Sequence, residues 1–111
     1  MQPQSRKLLE DMRDAAKEIT AITGGKSLHD YQSSRQLRWS VERGFEIVGE
    51  ALSQLSKIDL PLADKITDRR KILSFRNVLI HGYSAVNHEL TGDIVQRDLP
   101  VLVRELGDLF H

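Results

Sequence analysis

Ile72-Leu73-Ser74-Phe75-Arg76-Asn77-Val78-Leu79-Ile80-His81-Gly82-Tyr83 is the stretch that decides how this chain is read. Apolar residues recur in it at the three- and four-residue spacing of an α-helix, at about 100° per residue. With Arg76 set at 0°, Ile72, Phe75, Leu79, Ile80 and Tyr83 fall within about 100° of it. Arg76 therefore occupies the middle of an apolar stripe, where a plain amphipathic helix carries leucine. A permanently charged group there is strongly destabilising unless it is paired or faces a wet cavity. Asn77 and His81 lie four residues apart, so they share a face beside that stripe and come within hydrogen-bonding reach of each other. Tyr83 falls about 20° from Arg76 if the helix extends that far. Packing alone asks for none of these polar groups.

The same periodicity extends outward in both directions. A first helix is predicted from about Ser5, as N-cap, to Thr23, carrying Leu8, Leu9, Met12, Ala15, Ala16, Ile19 and Ile22, with Gly24-Gly25 as its stop. A loop with Ser27, His29 and Asp30 follows. The second helix spans about Ser34 to Lys57, with Leu37, Val41, Phe45, Val48, Leu52 and Leu55 as its main stripe. Gly44 and Gly49 interrupt it, each costing about 1 kcal/mol relative to alanine, and close approach by another helix is the use expected of them. Residues 58–66 read as a connector with a short helical turn. The third helix runs from Thr67 or Asp68 to a C-cap at Gly82. The fourth runs from about His88 to Phe110, with Leu90, Ile94, Val95, Leu99, Leu102, Leu106 and Leu109 on its inner side. Pro100 lies within it and predicts a kink or break. No stretch alternates like a strand. The expected fold is all-α, an up-and-down four-helix bundle, with residues 1–111 forming one domain.

Composition narrows the function. The formal net charge is zero, so any surface that binds phosphate must be local. There is no cysteine, which excludes disulfides and thiolate metal sites. The longest apolar runs are a few residues, far short of a membrane span. Met1 to Lys7 lacks the apolar core of a secretory signal, and the expected location is cytoplasmic. His29, His88 and His111 are scattered, with no metal-ligand spacing to carboxylates, so neither a metal nor a cofactor is expected.

Taken together, Arg76-Asn77-x3-His81-Gly82-Tyr83, the upstream Phe45-Glu46-Ile47-Val48-Gly49-Glu50-Ala51 and the Asp98-Leu99-Pro100 stretch resemble the HEPN superfamily, and within it the HepT-like toxins. The resemblance covers nearly the whole chain. It implies a metal-independent endoribonuclease acting on tRNA or mRNA, in a homodimer whose two R-x4-H motifs line one cleft. It further implies the toxin of a type VII-like toxin–antitoxin pair. The partner would be an MntA-like minimal nucleotidyltransferase antitoxin that silences the toxin by AMPylation of Tyr83.

The residue chemistry is compatible with that reading. Imidazole takes and gives protons near neutral pH, which makes His81 the natural acid/base. Arg76 can hold two phosphate oxygens and oppose charge in the transition state. Asn77 would orient the imidazole or contact RNA, and Glu50 would support the arginine. One helix offers one histidine, so a separate acid and base require a symmetric second copy. The products would then carry a 2′,3′-cyclic phosphate. Blander readings stand beside these. Arg76 could form a structural ion pair with Glu46 or Glu50, and Tyr83 could be core with a wet hydroxyl. Arg69-Arg70-Lys71 and the Glu42, Glu46, Glu50 stripe read as solvated faces, and Trp39 and Phe45 as packing. The rival functions are a non-catalytic nucleotide- or RNA-binding module partnering a nucleotidyltransferase, and a helical dimerisation protein.

Overall fold

Pro3 sits in the first turn of α1 (Pro3–Thr23), where its missing N–H is no loss. The computed structural model describes residues 1–110 apart from the side chain of Tyr83; His111 lies outside the described residues. The N-cap is Gln2 and not Ser5, because Pro3 starts the helix earlier and leaves Ser5 buried inside it. Gly24 and Gly25 end α1 as expected, Gly25 in the left-handed region at φ 74°.

The loop that follows holds an unanticipated helix, α2 (Leu28–Ser33). Its start is a capping box: the Ser27 hydroxyl accepts from the Asp30 N–H at 3.0 Å, and the Asp30 carboxylate accepts from the Ser27 N–H at 2.9 Å. Those bonds hold the Asp30 carboxyl below its ordinary pKa. Ser34 caps α3 (Arg35–Ile58) by accepting from the Leu37 N–H. Val41, Phe45, Val48, Leu52 and Leu55 are buried, with Leu37 packed at the margin. Asp59 ends α3 and caps α4 (Leu60–Ala63), the short turn expected in the connector.

α5 (Arg69–His81) begins after Asp68 and stops at Gly82. A 3-10 turn (Tyr83–Ala85) leads to Asn87, whose side chain accepts from the Glu89 and Leu90 N–H groups to start α6 (His88–Asp93). α6 continues through a π-helical segment, Ile94–Asp98, into α7 (Leu99–Asp108). The break expected at Pro100 therefore falls just upstream of it. The Leu99 N–H reaches back five residues to the Ile94 carbonyl. The proline, lacking an N–H and crowding the preceding turn, sits at the start of α7 where neither defect matters. Leu90, expected on the inner side, is 47% exposed, since Asn87 starts the helix with Leu90 on its outer side.

All the described secondary structure is helical. α1 packs on α3, α3 on α5, and α7 on α1. The molecule is 19 Å through its thinnest direction, two helix layers. Phe45 and Phe75 meet edge to face at 5.3 Å between α3 and α5. Thr67 bonds Glu105 and Lys71 pairs with Asp98, which fixes the start of α5 antiparallel to the last helix. The Arg6 and Arg13 guanidiniums lie over the Phe110 ring and tie the far end of that helix to α1. Gly44 does what was expected of it, since a Cβ there would come 2.5 Å from Ile19 of α1.

Candidate active site

Ile72, Phe75 and Leu79 face α5 into the core, which leaves Arg76 on the flank that meets α3. At that crossing α3 carries Gly49. A Cβ on Gly49 would lie 2.4 Å from the Arg76 Cβ and 2.6 Å from its Cγ, so the arginine stem lies directly on the glycine backbone. The stem is buried and the head emerges, leaving the side chain 22% exposed. One guanidinium nitrogen, Nη2, bonds Glu50 Oε2, and the other, Nη1, donates to Asn77 Oδ1 at 3.2 Å. Arg76 Nε is buried with no hydrogen-bond partner among the described residues.

Of the two carboxylates weighed as partners, the structure selects Glu50; Glu46 instead meets Arg43 at 3.2 Å. The Gln54 amide, donating at 3.1 Å, and then the Arg76 guanidinium hold the Glu50 carboxyl below its ordinary pKa. Glu50 is half exposed, so this pair stands in water and adds little stability. Asn77 does not bond His81; its carbonyl is taken by Arg76.

His81 is the last residue of α5 and is exposed. Five residues separate it from Arg76, about 7.5 Å along the axis. At about 100° per residue that is also about 140° around the axis, so the two side chains leave α5 on different flanks and do not meet through the helix. The Gly82 N–H closes on the Val78 carbonyl at 2.8 Å, and the chain turns away. Tyr83 thus lies beyond the helix, and its expected place 20° from Arg76 on the wheel does not apply. Its side chain lies outside the described residues. Ile80 is 41% exposed, so the apolar stripe read from the sequence is narrower than expected, because α3 covers only the Phe75–Leu79 side.

The basic group at the start of α5 is largely spoken for. Arg69 pairs with Asp64 at 3.0 Å and Lys71 with Asp98 at 2.7 Å, leaving Arg70 exposed. Burial, together with the charge of Asp98, pushes the Asp68 carboxyl up. Glu42 is half-buried and also pushed up by burial, opposed by His88 and Arg38; it is not part of a solvated acidic face. Trp39, read as packing, is 63% exposed, whereas Phe45 is in the core. Among the described residues no group of three or more acidic or imidazole side chains is placed to hold a metal ion. Among the described residues no helix is long and apolar enough to cross a membrane. Sequence reading did not connect Gly49 to the site, although its place directly before Glu50 and opposite an arginine-bearing helix was the available signal.

Residues 12–109 match a family described as Ribonuclease HepT-like. A Methanocaldococcus jannaschii protein named "Putative RNase" is 26% identical over 98 residues, covering 88% of this chain and 89% of that protein. A Caldanaerobacter subterraneus protein of the same name is 25% identical over 96% of this chain and 94% of its own length. A Thermococcus cleftensis protein named "Probable ribonuclease HepT" is 29% identical over 85% of this chain and 84% of its own length. No solved structure matches significantly.

Proposed function

Because the chain belongs to the Ribonuclease HepT-like family, we propose that it is a ribonuclease whose working groups are Arg76 and His81. The observation that carries this reading is the seating of Arg76. Gly49 gives up its side chain so that an arginine stem can be buried while its guanidinium emerges at the surface, and His81, five positions on, is exposed as well. The half-exposed Glu50 holds that guanidinium in place. Such a water-exposed pair is weak enough for a phosphate to share or displace it.

In this mechanism His81 takes the proton of a ribose 2′-hydroxyl, and the oxygen attacks the adjacent phosphorus. Arg76 binds the non-bridging oxygens as their charge grows. The partner's His81 protonates the departing 5′-oxygen. The products are a 2′,3′-cyclic phosphate and a 5′-hydroxyl, and no metal is required. A homodimer supplies the second histidine. Ile80, exposed, and Leu73, half-buried, flank the motif on α5 and offer an apolar surface for the second copy. The chain is the toxin of a toxin–antitoxin pair. An MntA-like nucleotidyltransferase silences it by attaching AMP, a bulky anionic group, to Tyr83, two residues past His81 in the motif.

Purified protein should cleave single-stranded RNA in EDTA and leave cyclic phosphate ends. His81→Ala should lower the rate by about 100-fold or more, with little change in melting temperature because the side chain is exposed. Arg76→Ala should abolish growth arrest when the chain is expressed alone. Should Arg76→Ala only lower stability and leave cleavage intact, the arginine is a structural ion-pair residue and the mechanism is wrong.

A further inference from the structure

The exposed Trp39 has no role in the packing or in the chemistry above. The other described aromatics of the bundle's middle, Tyr31, Phe45 and Phe75, are buried, whereas Trp39 is 63% exposed. It borders a groove of about 780 Å³ between α1 and α3, with Ala15, Ile19, Ile22 and Ile47 as its apolar lining. Arg35, whose guanidinium lies 5.7 Å from the Trp39 ring centroid, and Arg43 line the same groove, with Glu18 of α1 as its one carboxylate. Residues 35–43 contain three arginines and one glutamate in a chain of zero net charge. The glutamate, Glu42, is half-buried and interacts with His88. Arg43 has only an exposed, water-screened pair with Glu46.

His88, seven residues past His81, acts on Glu42, one turn along α3 from Trp39. Trp39 is eleven residues from Glu50, about 16 Å along the helix, a span of two or three nucleotides. We propose that Trp39, with Arg35 and Arg43, is a subsite that stacks a base of single-stranded RNA and holds the neighbouring phosphate, beside the Arg76–His81 centre. Every base has a π-face, so such a platform tolerates sequence, and arginine beside it adds cation–π and phosphate contacts. The groove carries two arginines against one glutamate, a balance that favours a phosphate-bearing strand as the occupant. The subsite rests on the ribonuclease reading of the neighbouring centre.

Trp39 is the only tryptophan, so its emission reports the site directly. The His81→Ala protein is titrated with a single-stranded oligoribonucleotide at low and high salt. Saturable quenching that weakens with salt is expected. Trp39→Ala should weaken binding of the labelled oligonucleotide about tenfold to 100-fold, with most of it recovered in Trp39→Phe. Emission that ignores bound RNA, RNA that does not bind at all, or a shift driven by protein concentration alone would overturn the subsite. The last result would assign the patch to a second copy. Quenching without any cleavage by the wild type would retain the subsite and remove the nuclease reading. Cleavage with unaltered RNA affinity in Trp39→Ala would do the reverse.

Discussion

Two glycines on one helix meet their neighbours almost equally closely, yet only one of them lies under the proposed centre. A Cβ at Gly44 would strike the end of the Ile19 side chain, and one at Gly49 would strike the stem of Arg76. Both Gly44→Ala and Gly49→Ala should therefore cost about 1–3 kcal/mol through overpacking. Only Gly49→Ala displaces a guanidinium, so it alone should reduce RNA cleavage by more than its loss of folded protein explains. Thermal melts and initial rates on the two variants, measured side by side, make the comparison. Equal losses of activity at equal stability would show that Arg76 does not depend on the glycine for its position.

Each helix owes its burial to one stripe, and the last helix shows how a local device rotates it. The π-helical segment Ile94–Asp98 inserts a five-residue hydrogen bond before Pro100 and resets the face presented by α7. Leu99, Leu102 and Leu106 thereby enter the core, while Leu90, upstream of the segment, stays outside. The expected consequence is a large contrast between chemically identical changes. Leu106→Ala should cost about 3 kcal/mol or more, and Leu90→Ala less than about 0.5 kcal/mol, in urea unfolding. Comparable costs would mean that the register of this helix is not as described. The same segment carries Asp98, which reaches Lys71 and helps lock α5, the helix bearing the motif, against the bundle.

For the whole molecule, carboxyl groups act in opposite directions with pH. Glu50 titrates below its ordinary value because of the Gln54 amide and then Arg76. Its small contribution is present above the ordinary carboxyl range and is lost as pH falls. Asp68 and Glu42 are raised by burial, so the folded chain holds their protons more tightly than the unfolded chain. Their contribution is present in acid and is lost as pH rises through their folded values. Asp68→Asn should therefore raise the melting temperature at pH 7 and converge with the wild type below about pH 3. A lower melting temperature at pH 7 would contradict the burial argument. Assembly belongs to the same scale. Ile80→Glu should convert a sedimenting dimer to a folded monomer and remove cleavage with it, since each subunit alone holds one imidazole of the proposed pair.

Helix periods, glycine stops and the polar residues Arg76, Asn77 and His81 were legible in the chain because they depend on spacing along one strand of backbone. Leu8 to Ile19, Val41 to Leu55 and Ile72 to Leu79 fold inward on that information alone. The six-residue α2 was also written locally, in the Ser27–Asp30 capping box, but a single turn has too little apolar period to announce itself. What the sequence left open was every pairing between helices. That Arg76 takes Glu50 over Glu46, that Gly49 makes room for it, and that Trp39 and Ile80 stand outside follow from which flank α5 presents to α3. That flank is set by how whole stripes interlock, a property no single helix contains.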